Sequence, residues 1–141
     1  MKRCLADVNV WFALLVRHHE HHGKAARWFE QCEEGEAVLC RQTQLGVMRL
    51  LGNQSILKEE AVTAARAWRL VEELLEDERV AMASEPDSMD EVIPTLLRYS
   101  VPTVKLVGDA YLAAFAMGHG MELATFDKGF RQYKGLAVRL M

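Results

Sequence analysis

Three aspartates of this sequence occur where an α/β protein could gather acidic groups. Asp7 directly follows the apolar run 4–6, Asp127 follows the apolar run 121–125, and Asp109 opens a helical segment rich in small residues. If both runs are parallel strands, Asp7 and Asp127 project from the same carboxyl edge of the sheet, which is where open α/β sheets bind ligands. A helix that begins at this edge would bring Asp109 to it as well.

The chemistry that these aspartates suit is the binding of a hard divalent cation. Three carboxylates at one edge repel each other unless a cation lies among them. Oxygen ligands without His or Cys favour Mg²⁺ or Mn²⁺, which can activate a water and stabilise charge on a phosphoryl group. Each aspartate also has a plainer interpretation as a helix N-cap, because Asp is a favoured residue there. The recurrence of the same placement favours the metal site, and the caps remain an alternative.

The elements that must position these acids alternate along the chain. Short apolar runs predict strands at residues 4–6, 37–40, 80–83, 121–125 and 137–140. Helical spacing of apolar residues predicts helices at 8–16, 25–32, 43–51, 59–77, 88–100 and 110–117. This alternation predicts an α/β fold, a three-layer α/β/α sandwich around a parallel sheet of about five strands. Trp28 and Trp68 lie on apolar helix faces and are expected in the core.

Composition limits the classes of protein that the chain can represent. A length of 141 residues predicts one domain over residues 1–141, and the net charge of −3 gives no case for nucleic-acid binding through bulk charge. The odd cysteine count without a Cys-x-x-Cys pair predicts reduced thiols, two of them in apolar strand-like surroundings. Without a signal-peptide pattern or a membrane-length apolar run, we expect a cytoplasmic protein with no membrane contact.

Four stretches of the sequence resemble the PIN-domain family, and more narrowly the VapC-type ribonuclease toxins of bacterial toxin–antitoxin pairs. They cover the chain in the order found in that family. The stretches are Leu5-Ala6-Asp7-Val8-Asn9-Val10, then His21-His22 with Trp28, then Gly108-Asp109-Ala110-Tyr111-Leu112-Ala113-Ala114, and finally Leu123-Ala124-Thr125-Phe126-Asp127-Lys128-Gly129-Phe130.

The resemblance implies a metal-dependent endoribonuclease that uses Mg²⁺ or Mn²⁺ and hydrolyses RNA phosphodiesters to leave a 5′-phosphate. It assigns Asp7, Asp109 and Asp127 as metal-binding and catalytic acids, with Asn9 and Thr125 as polar supports. It also implies a cognate antitoxin, a homodimer, and a structured RNA substrate such as tRNA or ribosomal RNA. By the same analogy, the helices around residues 10–34 and 43–57 are the expected antitoxin and dimer surfaces.

One position departs from the pattern of the family and leaves a second function open. Many PIN nucleases carry a Glu on the helix after the second strand, where this chain has Gly46. We therefore expect weaker metal binding, and we expect Gly46→Glu to tighten it. The alternative is a degenerate PIN module that binds RNA or a protein without cutting. A receiver-like or phosphatase-like domain fits less well, because Asp7-Val8-Asn9 lacks paired acids.

Basic residues and histidines offer weaker candidates. Arg49, Lys128 and Arg131 are the candidate RNA-binding residues, and Arg41 and Lys105 also flank the expected acidic edge. Each could equally be an ordinary solvated surface charge. The spacing of His18 and His22 would suit zinc on a helix, but no cysteine lies nearby to complete a tetrahedral site. We expect these histidines to form an exposed helix end instead.

Overall fold

A computed structural model describes residues 2–141, and its centre is a sheet of five short parallel strands. The strand order across the sheet is β3-β2-β1-β4-β5. The strands are β1 (Cys4–Ala6), β2 (Ala37–Leu39), β3 (Val80–Met82), β4 (Glu122–Thr125) and β5 (Val138–Leu140). All four strand pairings are parallel, and β1 pairs with β4 in the register Ala6↔Ala124. The chain positions that follow β1 and β4 therefore meet at one edge.

Within residues 2–141, seven helices connect the strands. They are α1 (Val8–Leu15), α2 (His22–Glu30), α3 (Arg41–Leu51), α4 (Gln54–Leu57), α5 (Ala64–Leu75), α6 (Met89–Tyr99) and α7 (Val107–His119). Three 3₁₀ turns complete the described chain, at Lys58–Glu60, Val104–Leu106 and Lys128–Gln132. No helix within residues 2–141 is long and apolar enough to cross a membrane.

The side chains of the sheet alternate between two cores, because successive residues of a strand point to opposite faces. Cys4 and Ala6 pack with α1, α2, α3 and α5, whereas Leu5 and Leu123 pack with α6 and α7. The predicted three-layer sandwich is confirmed. All three cysteines are free and buried, and burial raises the pKa of the Cys4 thiol to about 11.

The predicted helix at 59–77 is wrong in its first turn. Residues 58–60 form a 3₁₀ turn, and its first residue, Lys58, has a positive φ of 54°. The helix begins at Ala64, where the Thr63 hydroxyl accepts a hydrogen bond from the N–H of Arg66 at 3.2 Å. The apolar residues keep helical spacing through residues 59–77, so the spacing gave no sign of this break. Thr63 marks the true start of the helix, because it is the N-cap residue.

The predicted burial of Trp68 is also wrong. Ala67 and Val71 are the fully buried residues of α5, and the indole beside them is 42% exposed. The guanidinium of Arg41 lies 5.6 Å from the centroid of this ring, so Trp68 forms a cation–π contact at the surface. Trp28 is buried as predicted, with 4% exposure.

Candidate active site

The end of β1 and the start of α1 position Asp7. Its backbone N–H donates to the carbonyl of Ala124 at 2.9 Å, which continues the pairing of β1 with β4. Its side chain caps α1, because Oδ1 accepts the N–H of Val8 at 2.7 Å. The two sequence interpretations of Asp7, as a cap and as an edge carboxylate, therefore describe the same side chain, which is 8% exposed.

Thr125 connects Asp7 to Asp127 across the end of the sheet. Its hydroxyl donates to Oδ2 of Asp7 at 3.0 Å and accepts the backbone N–H of Asp127 at 3.0 Å. Thr125 is completely buried, and Asp127 is exposed beside it. Asp127 caps the following 3₁₀ turn through a 2.8 Å hydrogen bond from Gly129 N–H to its Oδ1. One oxygen of Asp127 is thus committed to its own turn.

Asp109 reaches the same edge from the first turn of α7. This helix begins at Val107, three residues earlier than predicted, so Asp109 lies inside the helix and the cap interpretation does not apply to it. Burial, and then the negative charges of Asp7 and Asp127, raise the pKa of Asp109 to about 6. Burial likewise raises the pKa of Asp7, against the lowering effect of its hydrogen bonds from Thr125 and Val8. The carboxylates therefore interact unfavourably as they stand.

The three aspartates open into one cleft of about 430 Å³. The residues that line it are Asp7, Val8, Asn9, Gln42, Gly46, Arg49, Leu50, Gly108, Asp109, Leu112 and Asp127. Asn9 lies on the exposed rim and makes no side-chain hydrogen bond with the other residues from 2 to 141. Of the predicted basic residues only Arg49 lines the cleft, whereas Lys128 and Arg131 are exposed on the next 3₁₀ turn.

Gln42 is a cleft residue that the sequence did not single out. Its side-chain oxygen is buried and has no hydrogen-bond partner within residues 2–141. Its position three residues after the end of β2 places it at the same carboxyl edge as Asp7. The signal that could have identified it is this spacing, because the segment after each central strand contributes to the edge of a parallel sheet.

The donor chemistry of the cleft fits a hard cation that retains water ligands. All three acidic groups offer oxygen, and a divalent ion would offset both the burial and the repulsion that raise the pKa of Asp109. A closed protein cage does not fit, since the described chain contains no group of three or more His, Cys, Asp or Glu side chains placed to hold an ion. Mg²⁺ commonly binds through one or two carboxylates and keeps several waters, which suits such an open set.

The histidine cluster makes structural contacts. Residues 17–21 form the turn between α1 and α2, and His22 begins α2, so the helical spacing assumed for His18 and His22 is wrong. His22 Nδ1 lies 2.9 Å from the carbonyl of Ala13, and His18 pairs with Glu60. His21 stacks on Phe126 with ring centroids 4.7 Å apart, so the turn supports the segment before Asp127.

Gly46 lies in the cleft, yet it has no space for a side chain. A Cβ atom there would approach Cγ2 of Val8 to 2.6 Å and its Cγ1 to 3.3 Å. The branched Val8 side chain has little freedom to move in a helix. The expectation that Gly46→Glu alone would tighten metal binding therefore needs correction, because the substitution first forces α1 and α3 apart.

Comparisons with known proteins identify the family of the chain. A family model described as the PIN domain matches residues 4–136. Ribonuclease VapC41 of Mycobacterium tuberculosis is 36% identical over 142 residues, which cover 97% of this chain and 97% of that protein. Ribonuclease VapC29 of the same organism is 33% identical over 93% of this chain and 90% of its own length.

Solved structures share the fold at lower sequence identity. The crystal structure of Mycobacterium tuberculosis VapC20, described as a Sarcin-Ricin loop cleaving toxin, has a TM-score of 0.69 at 17% identity and covers 96% of this chain and 98% of that one. VapBC2 from Rickettsia felis, bound to a DNA fragment from its promoter, has a TM-score of 0.66 at 9% identity and covers 96% of each chain. At these identities the likeness establishes the architecture alone.

Proposed function

We propose that this chain, which belongs to the PIN-domain family and within it to the VapC-type ribonucleases, is a divalent-metal-dependent endoribonuclease toxin. Its relatives named as ribonucleases span nearly its whole length. The observation that carries the proposal is the gathering of Asp7, Asp109 and Asp127 in one cleft at the carboxyl edge of the sheet. No salt bridge within the described chain offsets the repulsion among the three carboxylates. A divalent cation bound among them would offset it.

The proposed reaction is hydrolysis of an RNA phosphodiester. Water attacks phosphorus, the bond to the 3′-oxygen breaks, and the products are a 5′-phosphate and a 3′-hydroxyl. Asp7, Asp109 and Asp127 would hold Mg²⁺ or Mn²⁺, which when bound lowers the pKa of a coordinated water and neutralises charge on the phosphate. Asp109 must first lose its proton, since its pKa near 6 leaves a fraction of the carboxyl neutral in mildly acidic solution.

The neighbouring residues have positioning roles in this proposal. Thr125 fixes the orientation of Asp7 through the hydrogen bond to Oδ2. Arg49 lies on the cleft and would bind a phosphate, while Asn9 on the rim would orient water or substrate. Lys128 and Arg131 follow Asp127 on the exposed turn and would contact RNA outside the cleft.

A cognate antitoxin and a second copy of the chain are the proposed protein partners, and the cytoplasm is the proposed place of action. Leu45 and Ile56 are 38% and 49% exposed on the helices of the 43–57 segment. Leu45 also lines a groove of about 400 Å³, together with Met48, Arg49, Gly52, Val62 and Ala64. An apolar surface of this kind suits a protein partner.

The test of the proposed function is RNA cleavage by single carboxylate variants. Asp7→Asn and Asp127→Asn should each abolish cleavage of total cellular RNA in Mn²⁺ or Mg²⁺, and EDTA should abolish cleavage by the wild-type protein. Asp87→Asn is the matched control, because Asp87 is an exposed aspartate that does not line the cleft. Cleavage at the wild-type rate by both site variants would end the proposal.

A non-cleaving PIN module is the second candidate, and two observations favour it. Gly46 supplies no carboxylate, and the described residues hold no ready group of three metal donors. This module would bind RNA without cutting it. The two candidates separate in one experiment, because a degenerate module retains RNA in a filter-binding assay while leaving the RNA intact in both metals.

A further inference from the structure

A second cavity lies between the end of α6 and the 3₁₀ turn Lys128–Gln132. Its volume is about 560 Å³, within the roughly 300–1,000 Å³ typical of sites for small organic groups. The lining consists of Thr95, Leu96, Tyr99, Gln132, Tyr133 and Lys134. Its two tyrosines differ in exposure, since Tyr99 is 77% exposed and Tyr133 is 3% exposed. The cavity thus has one aromatic ring available to a ligand from solvent and one in its wall.

Tyr133 connects this cavity to the acidic cleft. Burial, and then the charges of Asp109 and Asp127, raise the pKa of the Tyr133 hydroxyl to about 12. A geometric link runs through the neighbouring Gln132, because its Nε2 donates to the carbonyl of Gly129 and the N–H of Gly129 donates to Oδ1 of Asp127. The Tyr133 hydroxyl is buried and finds no hydrogen-bond partner among residues 2–141. An RNA strand with one phosphate bound at the aspartates would bring a neighbouring nucleotide to the cavity.

The two segments that supply the cavity lining are basic. Segments 95–107 and 128–134 contain five cationic residues and no acidic one, although the whole chain has a net charge of −3. The five are Arg98, Lys105, Lys128, Arg131 and Lys134. None of them forms a salt bridge with another residue of the described chain. Unpaired cations beside an acidic cleft complement the phosphates that lead into it.

Hydrogen bonds hold the walls of the cavity in place. Gln132 uses both ends of its amide, since Oε1 accepts the N–H of Val101 at 3.0 Å and Nε2 donates to the carbonyl of Gly129 at 3.0 Å. The Thr95 hydroxyl donates to the carbonyl of Glu91 at 3.1 Å. Among the lining groups, the ring of Tyr99 and the ammonium of Lys134 remain for a ligand.

We propose that this cavity receives one unpaired nucleobase of the RNA substrate, beside the phosphodiester at the three aspartates. The base stacks on Tyr99, and Lys134 and Arg131 contact the adjoining phosphates. The proposal rests on the proposed ribonuclease function and adds a substrate class to it. The RNA must present at least one unstacked nucleotide next to the bond that is cut.

The experiment is a binding cycle between protein variants and RNAs that lack single bases. The probes are fluorescein-labelled hexaadenylate and six versions of it, each with one abasic nucleotide, measured by anisotropy in Ca²⁺, a hard divalent cation that also binds oxygen ligands. The proteins are wild type, Tyr99→Ala, Tyr99→Phe and Trp68→Ala. Trp68 is the matched control, because it is an exposed aromatic residue that does not line the cavity.

We expect removal of the base and removal of the Tyr99 ring to cause the same loss of affinity. One abasic position weakens binding to the wild-type protein by about 10-fold, in line with the strength of base–aromatic stacking. Tyr99→Ala loses a similar factor with intact RNA and loses no more at that abasic position. Tyr99→Phe and Trp68→Ala bind like wild type. In cleavage assays, Tyr99→Ala raises KM and leaves kcat unchanged.

Several outcomes would overturn the proposal. Equal affinity of wild type and Tyr99→Ala for hexaadenylate would do so, as would a position-specific loss that persists in Tyr99→Ala. No measurable binding of the wild-type protein would also overturn it. Hexaglutamate binding with the same dependence on Tyr99 would identify a docking site for an acidic peptide instead. If the protein cleaves RNA but Tyr99→Ala changes neither binding nor KM, only this inference is wrong. If Tyr99→Ala and the abasic position show the expected loss of binding but no RNA is cleaved, the proposed function is wrong.

Discussion

At the scale of single residues, the Thr125 hydroxyl controls the geometry of the candidate site. It donates to Asp7 and accepts from the backbone of Asp127, so one buried group sets the positions of two carboxylates that lie 120 residues apart in sequence. A side chain of this kind touches no substrate and acts through the acids that it orients. Outer residues of metal sites commonly have this role.

Thr125→Val should lower metal affinity and RNA cleavage by about 10- to 100-fold, the usual effect of removing such a hydrogen bond. The substitution keeps the shape of the side chain and removes the hydroxyl that Asp7 Oδ2 accepts. Calorimetric titration with Mn²⁺ measures the affinity, and Thr125→Ser, which retains a hydroxyl, should stay close to wild type. Equal affinities of the Val and Ser variants would show that the hydroxyl has no positioning role.

The protonation of Asp109 should make metal-free stability depend on pH. Its pKa in the folded protein is about 6, whereas an Asp in an unfolded chain titrates near 3.9. The folded state therefore binds the proton more tightly, and stability falls as pH rises from about 4 to about 6. In EDTA, urea unfolding should show that the free energy of unfolding of Asp109→Asn rises relative to that of wild type as the pH increases across this interval.

The control for this pH dependence is Asp87→Asn, whose stability relative to wild type should stay constant over the same interval. Adding Mn²⁺ at pH 7.5 should stabilise wild type and leave Asp109→Asn less affected, because binding to the folded state alone raises stability. A pH-independent difference between wild type and Asp109→Asn would contradict the unfavourable coupling of the three aspartates.

At the scale of elements, the contact between α1 and α3 is unusually close. Val8 stands in the first turn of α1 and faces Gly46 in the middle of α3. The glycine costs helix propensity, about 1 kcal/mol relative to Ala. In return, the glycine allows α1 and α3, which both border the acidic cleft, to pack closely.

Gly46→Ala should destabilise the protein by about 1–2 kcal/mol in spite of the gain in helix propensity, because overpacking a contact of 2.6 Å costs more than that gain. In a Val8→Ala background the same change should stabilise by up to about 1 kcal/mol. Urea unfolding of the four proteins measures this reversal of sign. Additive effects of the two substitutions would mean that the helices separate without cost.

Gly23→Ala provides the matched control in α2. A Cβ atom there would meet only Nη1 of Arg27, at an ordinary distance of 3.5 Å, so this variant should be as stable as wild type or more so. The effect of an acid at position 46 on metal affinity is measurable in the double variant Val8→Ala/Gly46→Glu. Tighter Mn²⁺ binding there would support the expectation that the sequence raised.

The sequence predicts the sheet well, because each strand is a short apolar run whose ends are marked by charge or by turn residues. The convergence of Asp7 and Asp127 follows from the same logic, since both come directly after parallel strands. Contacts across the fold are not encoded locally. The exposure of Trp68, the clash at Gly46, the buried oxygen of Gln42 and the cavity beside Tyr99 all depend on which elements pack together.

At the scale of the whole molecule, the acidic cleft and the basic surface beside it make the chain suited to RNA, while the 43–57 segment offers an apolar face. Expressed alone, the protein should halt growth, and co-expression of an adjacent small antitoxin gene should restore it. Growth curves measure both effects. Harmless expression of a folded product would favour the non-cleaving module instead.

The apolar face should carry the association with that antitoxin or with a second copy. Leu45→Glu should weaken complex formation, measured by size-exclusion chromatography with light scattering, because it places a charge in the apolar groove. Met82→Glu is a matched control, since both residues are 38% exposed and Met82 lies on β3 outside the groove. Equal complex formation by Leu45→Glu and wild type would place the interface elsewhere.

The contact between Val8 and Gly46 also restricts the order in which this protein could change through evolution. An acidic side chain at position 46 costs less stability in descendants in which position 8 has already become smaller, since the reverse order passes through an overpacked intermediate. Replacement of Val8 by Ala or Gly is therefore a permissive step. It adds no carboxylate to the cleft itself, but it makes room for a later acidic residue at position 46. In lineages that keep Val8, the metal affinity proposed for the cleft would change at a lower cost in stability through other positions around it.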